Sequence, residues 1–239
     1  MSARFDGTGK DSLVVPDGMK WEFNGMVAGV FDDMLSRSIP DYAGMRRLVS
    51  DIGMRFLPKD GTLLDLGCSL GGSFAPFVGK CTRIVGVEAS RPMAEEAGKR
   101  HKGEPGVEIL EQDFVREFPD VLADLVLSVL TLQFTPIEHR QRILSDVRSH
   151  VRHGGAFILV EKVLGCDLRM DALFTDVYYG MKAGNAYTQE QIASKRKSLE
   201  GVLVPVQASW NEQLLRGAGF TPVECFWRSL QFCAWLALP

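Results

Sequence analysis

The sequence predicts an α/β fold built on a doubly wound, mostly parallel sheet, with a helical segment ahead of it and a helical insertion before its last two strands. Two observations carry that prediction: short apolar runs alternate with amphipathic stretches between residues 62 and 160, and the first run feeds a glycine-rich turn. The 239 residues, 46% hydrophobic and 24% charged, are an ordinary globular composition with room for one sizeable core.

Residues 1–60 read as a helical lid or brace. Within it Met19 to Leu35 places Trp21, Phe23, Met26, Val27, Val30, Phe31 and Met34 at helical spacing, and Pro40 then interrupts. Ala43 to Phe56 follows as a helix with Met45, Leu48, Val49, Ile52 and Phe56 on one side, until Pro58-Lys59-Asp60-Gly61 turns the chain. Residues 61–165, completed by 211–239, form the ligand-binding domain. Its strands are expected at Thr62–Leu66, Arg83–Val87, Val107–Leu110, Leu125–Leu130 and Ala156–Val160, with helices near Ser73–Val78, Pro92–His101 and Glu138–Val151. His153-Gly154-Gly155 reads as the C-cap of the last of these. Residues 166–210 break the rhythm with a polar helical pattern rich in tyrosine and lysine, an insertion that covers the ligand crevice. Asn211–Ala218 then makes a helix, and Val223–Trp227 and Phe232–Leu238 close the sheet as an antiparallel hairpin.

The formal charge of −3 without a long basic run argues against a nucleic-acid partner. Five scattered cysteines without a CxxC pair indicate neither a disulfide framework nor a zinc site, which fits the reducing cytoplasm. The opening residues MSARFDGTGKD lack a signal-peptide core, and no apolar run is of bilayer length, so no membrane is expected.

Chemistry concentrates in the loop Asp65-Leu66-Gly67-Cys68-Ser69-Leu70-Gly71-Gly72-Ser73. Its glycines permit a tight turn and let the backbone approach a ligand. The spacing is neither G-x-G-x-x-G nor G-x-x-x-x-G-K-[ST], so neither a dinucleotide nor a triphosphate is the natural guest. A turn without a ligand is the plain alternative. Against it stands the next strand, which ends in Glu88, where a doubly wound fold places an acid for both ribose hydroxyls. The third strand ends in Gln112-Asp113-Phe114, an acid for an adenine amine and a ring to lie against the base.

These positions resemble the class I S-adenosylmethionine (SAM)-dependent methyltransferases, a Rossmann-like superfamily, through DLGCSLGGS, GVEAS, EQDF and LTLQF. The resemblance implies SAM as cosubstrate or substrate and no metal. The whole chain is also similar to the carboxy-SAM synthases, which convert SAM and prephenate into carboxy-SAM for tRNA wobble-uridine modification. That similarity rests on FDDMLSRSIPDY (31–42), DLGCSLG (65–71), LTLQF (130–134), Glu161-Lys162 and SKRKSLEGVL (194–203), and so includes the insertion. It implies that Tyr42 reaches the SAM, that Asp65 and the Gly67, Cys68 and Ser69 turn hold its amino-acid end, and that Glu88 and Ala89 hold the ribose. Asp113 and Phe114 are implied at the adenine and Val129 near the sulfonium. Arg196 is implied to bind a carboxylate across a homodimer interface, whereas on sequence alone it sits with Lys195 and Lys197 as a solvated helix face. The chain departs from the family in having Glu88 for aspartate, Val129 for asparagine, and Tyr178 and Tyr179 for paired histidines. Aromatic faces attract a sulfonium as they do quaternary ammonium groups, although both tyrosines also suit plain helix packing.

Four functions stay open at this point. A small-molecule methyltransferase needs mainly proximity and an in-line acceptor, with Glu161, His139 or Tyr42 as candidate bases. A carboxy-SAM synthase uses Arg196, whose guanidinium suits bidentate binding of a carboxylate. An azetidine-2-carboxylate synthase folds the methionine tail of SAM so that its amine displaces methylthioadenosine. A SAM-binding protein without turnover is the fourth.

Overall fold

In the computed structural model of the chain, residues 10–239 are described; the opening residues that bear on a signal peptide, and the start of the expected brace, lie outside them. Residues 10–24 form a strap without helix or strand that turns once at Asp17–Gly18. Helix α1 (Gly25–Ser38) begins only where the Asn24 side chain accepts hydrogen bonds from the Met26 and Val27 amides, at 3.1 and 3.2 Å. The apolar spacing from Met19 onward therefore overshoots the helix start, because Trp21 is buried and Phe23 partly buried from a non-helical chain. Ile39, extended ahead of Pro40, ends α1, and α2 (Tyr42–Gly53) follows.

The sheet contains β1 (Thr62–Leu66), β2 (Arg83–Glu88), β3 (Val107–Glu111), β4 (Ala123–Val129), β5 (Val151–Leu164), β7 (Val223–Ser229) and β8 (Phe232–Ala237) in the order β3-β2-β1-β4-β5-β8-β7, with the short β6 (Val206–Gln207) beside β5. The first five strands pair in parallel, and β8 runs antiparallel to both neighbours. Helices α3 (Arg91–Arg100), α4 (Ile137–His150) and α7 (Ala208–Gly217) are the crossovers, and α5 (Leu168–Gly184) and α6 (Gln189–Leu199) make up the insertion. The α/β, doubly wound architecture is the one expected. Leu64, Val85, Val126, Phe157 and Trp235 are buried on one face, and Leu63, Ile84, Leu125, Ile158 and Phe232 on the other, so both faces are covered by helices.

Three local expectations are corrected. The helix expected near Ser73–Val78 is a single 3-10 turn, Ala75–Phe77, because Pro76 has no amide to donate and the chain turns out through Gly79 at φ +71°. Gly154 is not a helix cap: α4 ends at His150, Val151 is already extended, and Gly154 lies inside β5 at φ +82°, where the register against β4 shifts. The helix expected from Asn211 starts at Ala208, directly after β6.

The order of β1 and β4 makes the topological switch point, and a crevice opens beyond the carboxyl ends of these strands. The strap and the insertion roof it together. Ser194 on α6 donates to the Val15 carbonyl at 2.9 Å and accepts from its amide at 2.8 Å, and Trp21 donates to the Ser198 carbonyl at 3.0 Å.

Candidate active site

The crevice is a cavity of about 310 Å³, within the range of small-molecule sites. Its floor is the β1 turn. Gly67 and Gly71 hold φ +72° and +84°, and a Cβ on Gly67 would lie 2.1 Å from the Thr131 methyl, so only glycine fits that close approach. Ser69 and Leu130 also line the cavity and take positive φ, 50° and 59°, although neither is glycine. Such backbone strain gathers where a ligand is held, and here it follows β1 and β4 directly.

Glu88 is buried at the end of β2. Its Oε2 accepts the Ser69 amide at 2.9 Å and its Oε1 the Ser90 amide at 2.8 Å, so each oxygen keeps a lone pair for a further donor. Burial pushes its carboxyl up against the pull of these amides. Ala89, Asp113 and Phe114 line the same wall, Phe114 buried and Asp113 fixed by the Val115 amide at 3.0 Å. Tyr42 and Val129 line the cavity as well.

Asp65 lies behind the turn rather than in the cavity wall. It is fully buried, neither carboxylate oxygen has a hydrogen-bond partner, and burial together with the nearby Glu88 pushes its carboxyl up to about 8. An acid beneath a glycine turn offers a counter-charge, through the turn, to a cationic ligand atom held above it. The acids, the strained turn and the aromatic wall thus fit a nucleoside with a positively charged tail, as SAM is.

The opposite end is built by the insertion. The Tyr178 ring is 5.7 Å from Phe232 and 5.6 Å from Tyr179, and burial drives its hydroxyl far above the ordinary tyrosine range. Lys162, Lys182 and Lys195 also reach the cavity, residues that the sequence reading passed over as catalytic candidates. Lys195 is anchored: its Nζ is 2.5 Å from Asp11 of the strap, which also accepts the Tyr187 hydroxyl at 2.5 Å.

The expected catalytic trio does not converge within one chain. Tyr178 lines the cavity; Tyr179 packs behind it, half-buried; Arg196 is exposed on α6 beside Tyr179, outside the cavity. The Arg196 placement follows from helical spacing, since burying Ile192, Lys195 and Ser198 turns the neighbouring Arg196 outward. Of the candidate bases, Glu161 is fully buried and spent on the Leu132 amide at 3.0 Å, its carboxyl pushed up to about 8 by burial, and neither it nor His139 lines the cavity.

Residues 64–159 match the methyltransferase domain family. The carboxy-S-adenosyl-L-methionine synthase of Wolinella succinogenes is 35% identical over 224 residues, covering 91% of this chain and 93% of that protein. The synthase of Methylococcus capsulatus is 34% identical, covering 90% and 92%. Among solved structures, the DhpI complex with SAH superposes with a TM-score of 0.61 at 18% identity, covering 90% of this chain and 92% of that one. Human N-acetylserotonin methyltransferase in complex with SAM gives 0.62 at 17% identity, covering 90% and 55%. The structural likeness establishes the class I fold; the sequence identity, which spans about nine-tenths of the chain, goes further. This chain is a SAM-dependent transferase of the methyltransferase superfamily and belongs to the carboxy-S-adenosyl-L-methionine synthase family.

Proposed function

We propose that this chain acts on the sulfonium end of SAM itself, forming carboxy-SAM from SAM and a small carboxylate donor, with prephenate the donor that the family resemblance implies. One observation carries the reading: the cavity that begins at Glu88 and Asp113 continues without a break into a chamber walled by Tyr178 and Phe232, under the insertion that the relatives share. SAM supplies a sulfonium that acidifies its methyl hydrogens. In the net reaction the methyl carbon loses a proton and gains the carboxyl, while prephenate gives up that carboxyl and a hydroxide, which leaves as water with the proton, and becomes phenylpyruvate.

The residues of the chain bind and enclose. Glu88 accepts the ribose hydroxyls, Asp113 and Phe114 take the adenine, and Gly67, Cys68, Ser69 and Tyr42 hold the amino-acid end, with Asp65 as the buried counter-charge beneath it. Tyr178 and Val129 give the sulfonium an apolar, aromatic surround that excludes water. Arg196 serves the active site of a second copy. It faces away from its own cavity, and the neighbouring α5 exposes Met170, Leu173 and Val177 at 36%, 53% and 47%, an apolar stripe at i, i+3 and i+7 suited to a homodimer interface. A cytoplasmic setting completes the proposal.

A second reading has a specific observation behind it. Val129 at the sulfonium and the tyrosine pair leave the chamber without the family's asparagine and histidines, and a methionine tail folded in such a chamber is placed for its amine to displace methylthioadenosine, giving azetidine-2-carboxylate. Incubation with SAM alone and with SAM plus prephenate, followed by mass spectrometry, separates the two. Carboxy-SAM only when prephenate is present supports carboxyl transfer; methylthioadenosine from SAM alone replaces it with cyclisation.

A further inference from the structure

Among the described residues, two lysines of the cavity have no acid within ion-pair distance, Asp171 acting on Lys162 and Asp11 on Lys182 only from further off. Lys162 on β5 places its Nζ 4.6 Å from the centroid of the Tyr178 ring and 5.9 Å from that of Phe232. Lys182 on α5 is 4% exposed, with its Nζ 5.7 Å from the Tyr178 centroid and 4.9 Å from that of Tyr187. Neither reaches an acid among the described residues. Lys195 differs, because Asp11 sits against it. Asp11 therefore pairs directly with one of three ammonium groups at this end of the chamber, and it and Asp171 offset Lys182 and Lys162 only at longer range, while Glu88 and Asp113 stand on the nucleoside side.

Aromatic faces attract a cation but do not neutralise it, and a buried charge without a partner is costly. Burial and the neighbouring Lys195 and Lys162 push the Lys182 ammonium down to about 7, and burial pushes that of Lys162 down to about 8. A sulfonium brought into the same chamber adds a further positive charge. An anion lets these groups keep their protons and share an apolar space.

We propose that Lys162 and Lys182, both set against the Tyr178 ring, form a subsite that binds a carboxylate group at the sulfonium end of the cavity. This rests on the placement of SAM proposed above. Two sources present that chemistry: the α-carboxylate of SAM itself, folded back into the chamber, and a carboxylate of the second substrate.

The test uses the full chain and its Lys162→Met and Lys182→Met variants in titration calorimetry. One arm titrates S-adenosylhomocysteine, and in parallel 5′-methylthioadenosine, which lacks the amino-acid end. The other titrates prephenate into protein saturated with S-adenosylhomocysteine. Loss of homocysteine-analogue affinity by about thirtyfold or more, with methylthioadenosine binding unchanged, assigns the subsite to the carboxylate of SAM. Unchanged homocysteine-analogue binding with prephenate affinity lost by a similar factor assigns it to the second substrate. Affinities unchanged in both arms overturn the subsite. Absence of prephenate binding to the wild type contradicts carboxyl transfer only, and the first arm then decides the subsite alone. Both variants are expected to melt no lower than the wild type, since each removes an unpaired buried charge; Lys162→Gln and Lys182→Gln serve the same comparison should a methionine variant fail to fold.

Discussion

Replacing Asp65 with asparagine should stabilise the ligand-free protein, and the gain should depend on pH in a particular way. The carboxyl is fully buried with both oxygens unpartnered, and in the folded state it holds its proton up to about 8. An unfolded aspartic acid releases that proton near 3.8. Between these values the folded state binds more protons than the unfolded one, so stability falls as pH rises. The loss is absent below about pH 4, grows by about 1.4 kcal/mol per pH unit, reaches about 4 kcal/mol at pH 7 and levels off above pH 8, as the interval from 3.8 to about 8 dictates. Asparagine has the shape of the neutral acid and does not titrate, so the variant keeps what the wild type loses. For a chain of this size that amounts to a melting temperature about 8 °C or more higher at pH 7, with the two proteins converging near pH 4. Thermal melts of both proteins from pH 4 to 9 without ligand measure it directly. A variant that melts below the wild type at pH 8, or a difference that does not change with pH, refutes the reasoning. The same variant should gain less from saturating SAM, because it lacks the charge that the amino-acid end is proposed to meet.

Other consequences follow from the same geometry. Glu88→Gln should weaken SAM binding by about 2 kcal/mol in calorimetry, since it removes the charged acceptor between the Ser69 and Ser90 amides and the ribose. Asp11→Asn leaves Lys195 buried without its partner and should destabilise the fold by about 3 kcal/mol in urea denaturation, with much of the loss recovered in the Asp11→Asn, Lys195→Met double variant. Raising the pH from 6 to 9 should weaken carboxylate binding at the Lys182 and Lys162 end, because the ammonium groups lose their protons near 7 and 8, whereas methylthioadenosine affinity should not follow that course. Arg196→Ala should spare SAM binding and abolish carboxy-SAM formation, and mixing it with a chain disabled at Glu88 should restore part of the activity if the arginine serves the partner copy; equal loss in the mixture contradicts that placement.

Much of the fold was legible because it depends on periodicity. The strands around the glycine turn were marked by apolar runs, and the acids Glu88 and Asp113 at their ends located the crevice. Helix limits were less legible where a single backbone event decides them: Pro76 reduced a helix to one turn, Asn24 delayed another, and Gly154 bent a strand where its sequence resembled a cap. The site was half legible. Glycines and strand-end acids lie close together in sequence and announce the cavity floor, but its roof comes from the strap and the insertion, 160 residues or more apart in the chain for the Val15–Ser194 and Trp21–Ser198 contacts. Nothing local in Lys182 or Lys162 distinguishes a cavity lysine from a solvated one. Lys195 and Arg196 show the difficulty most plainly: adjacent in one basic run, one is buried on Asp11 and the other faces outward.

Carbon-13 in the methyl group of SAM tests the central claim most directly. After one turnover with prephenate, carboxyl transfer predicts that the label resides in a methylene carbon between sulfur and a new carboxylate, still attached to the nucleoside. Recovery of the label as the S-methyl of methylthioadenosine, or on any acceptor other than the original sulfur, contradicts it.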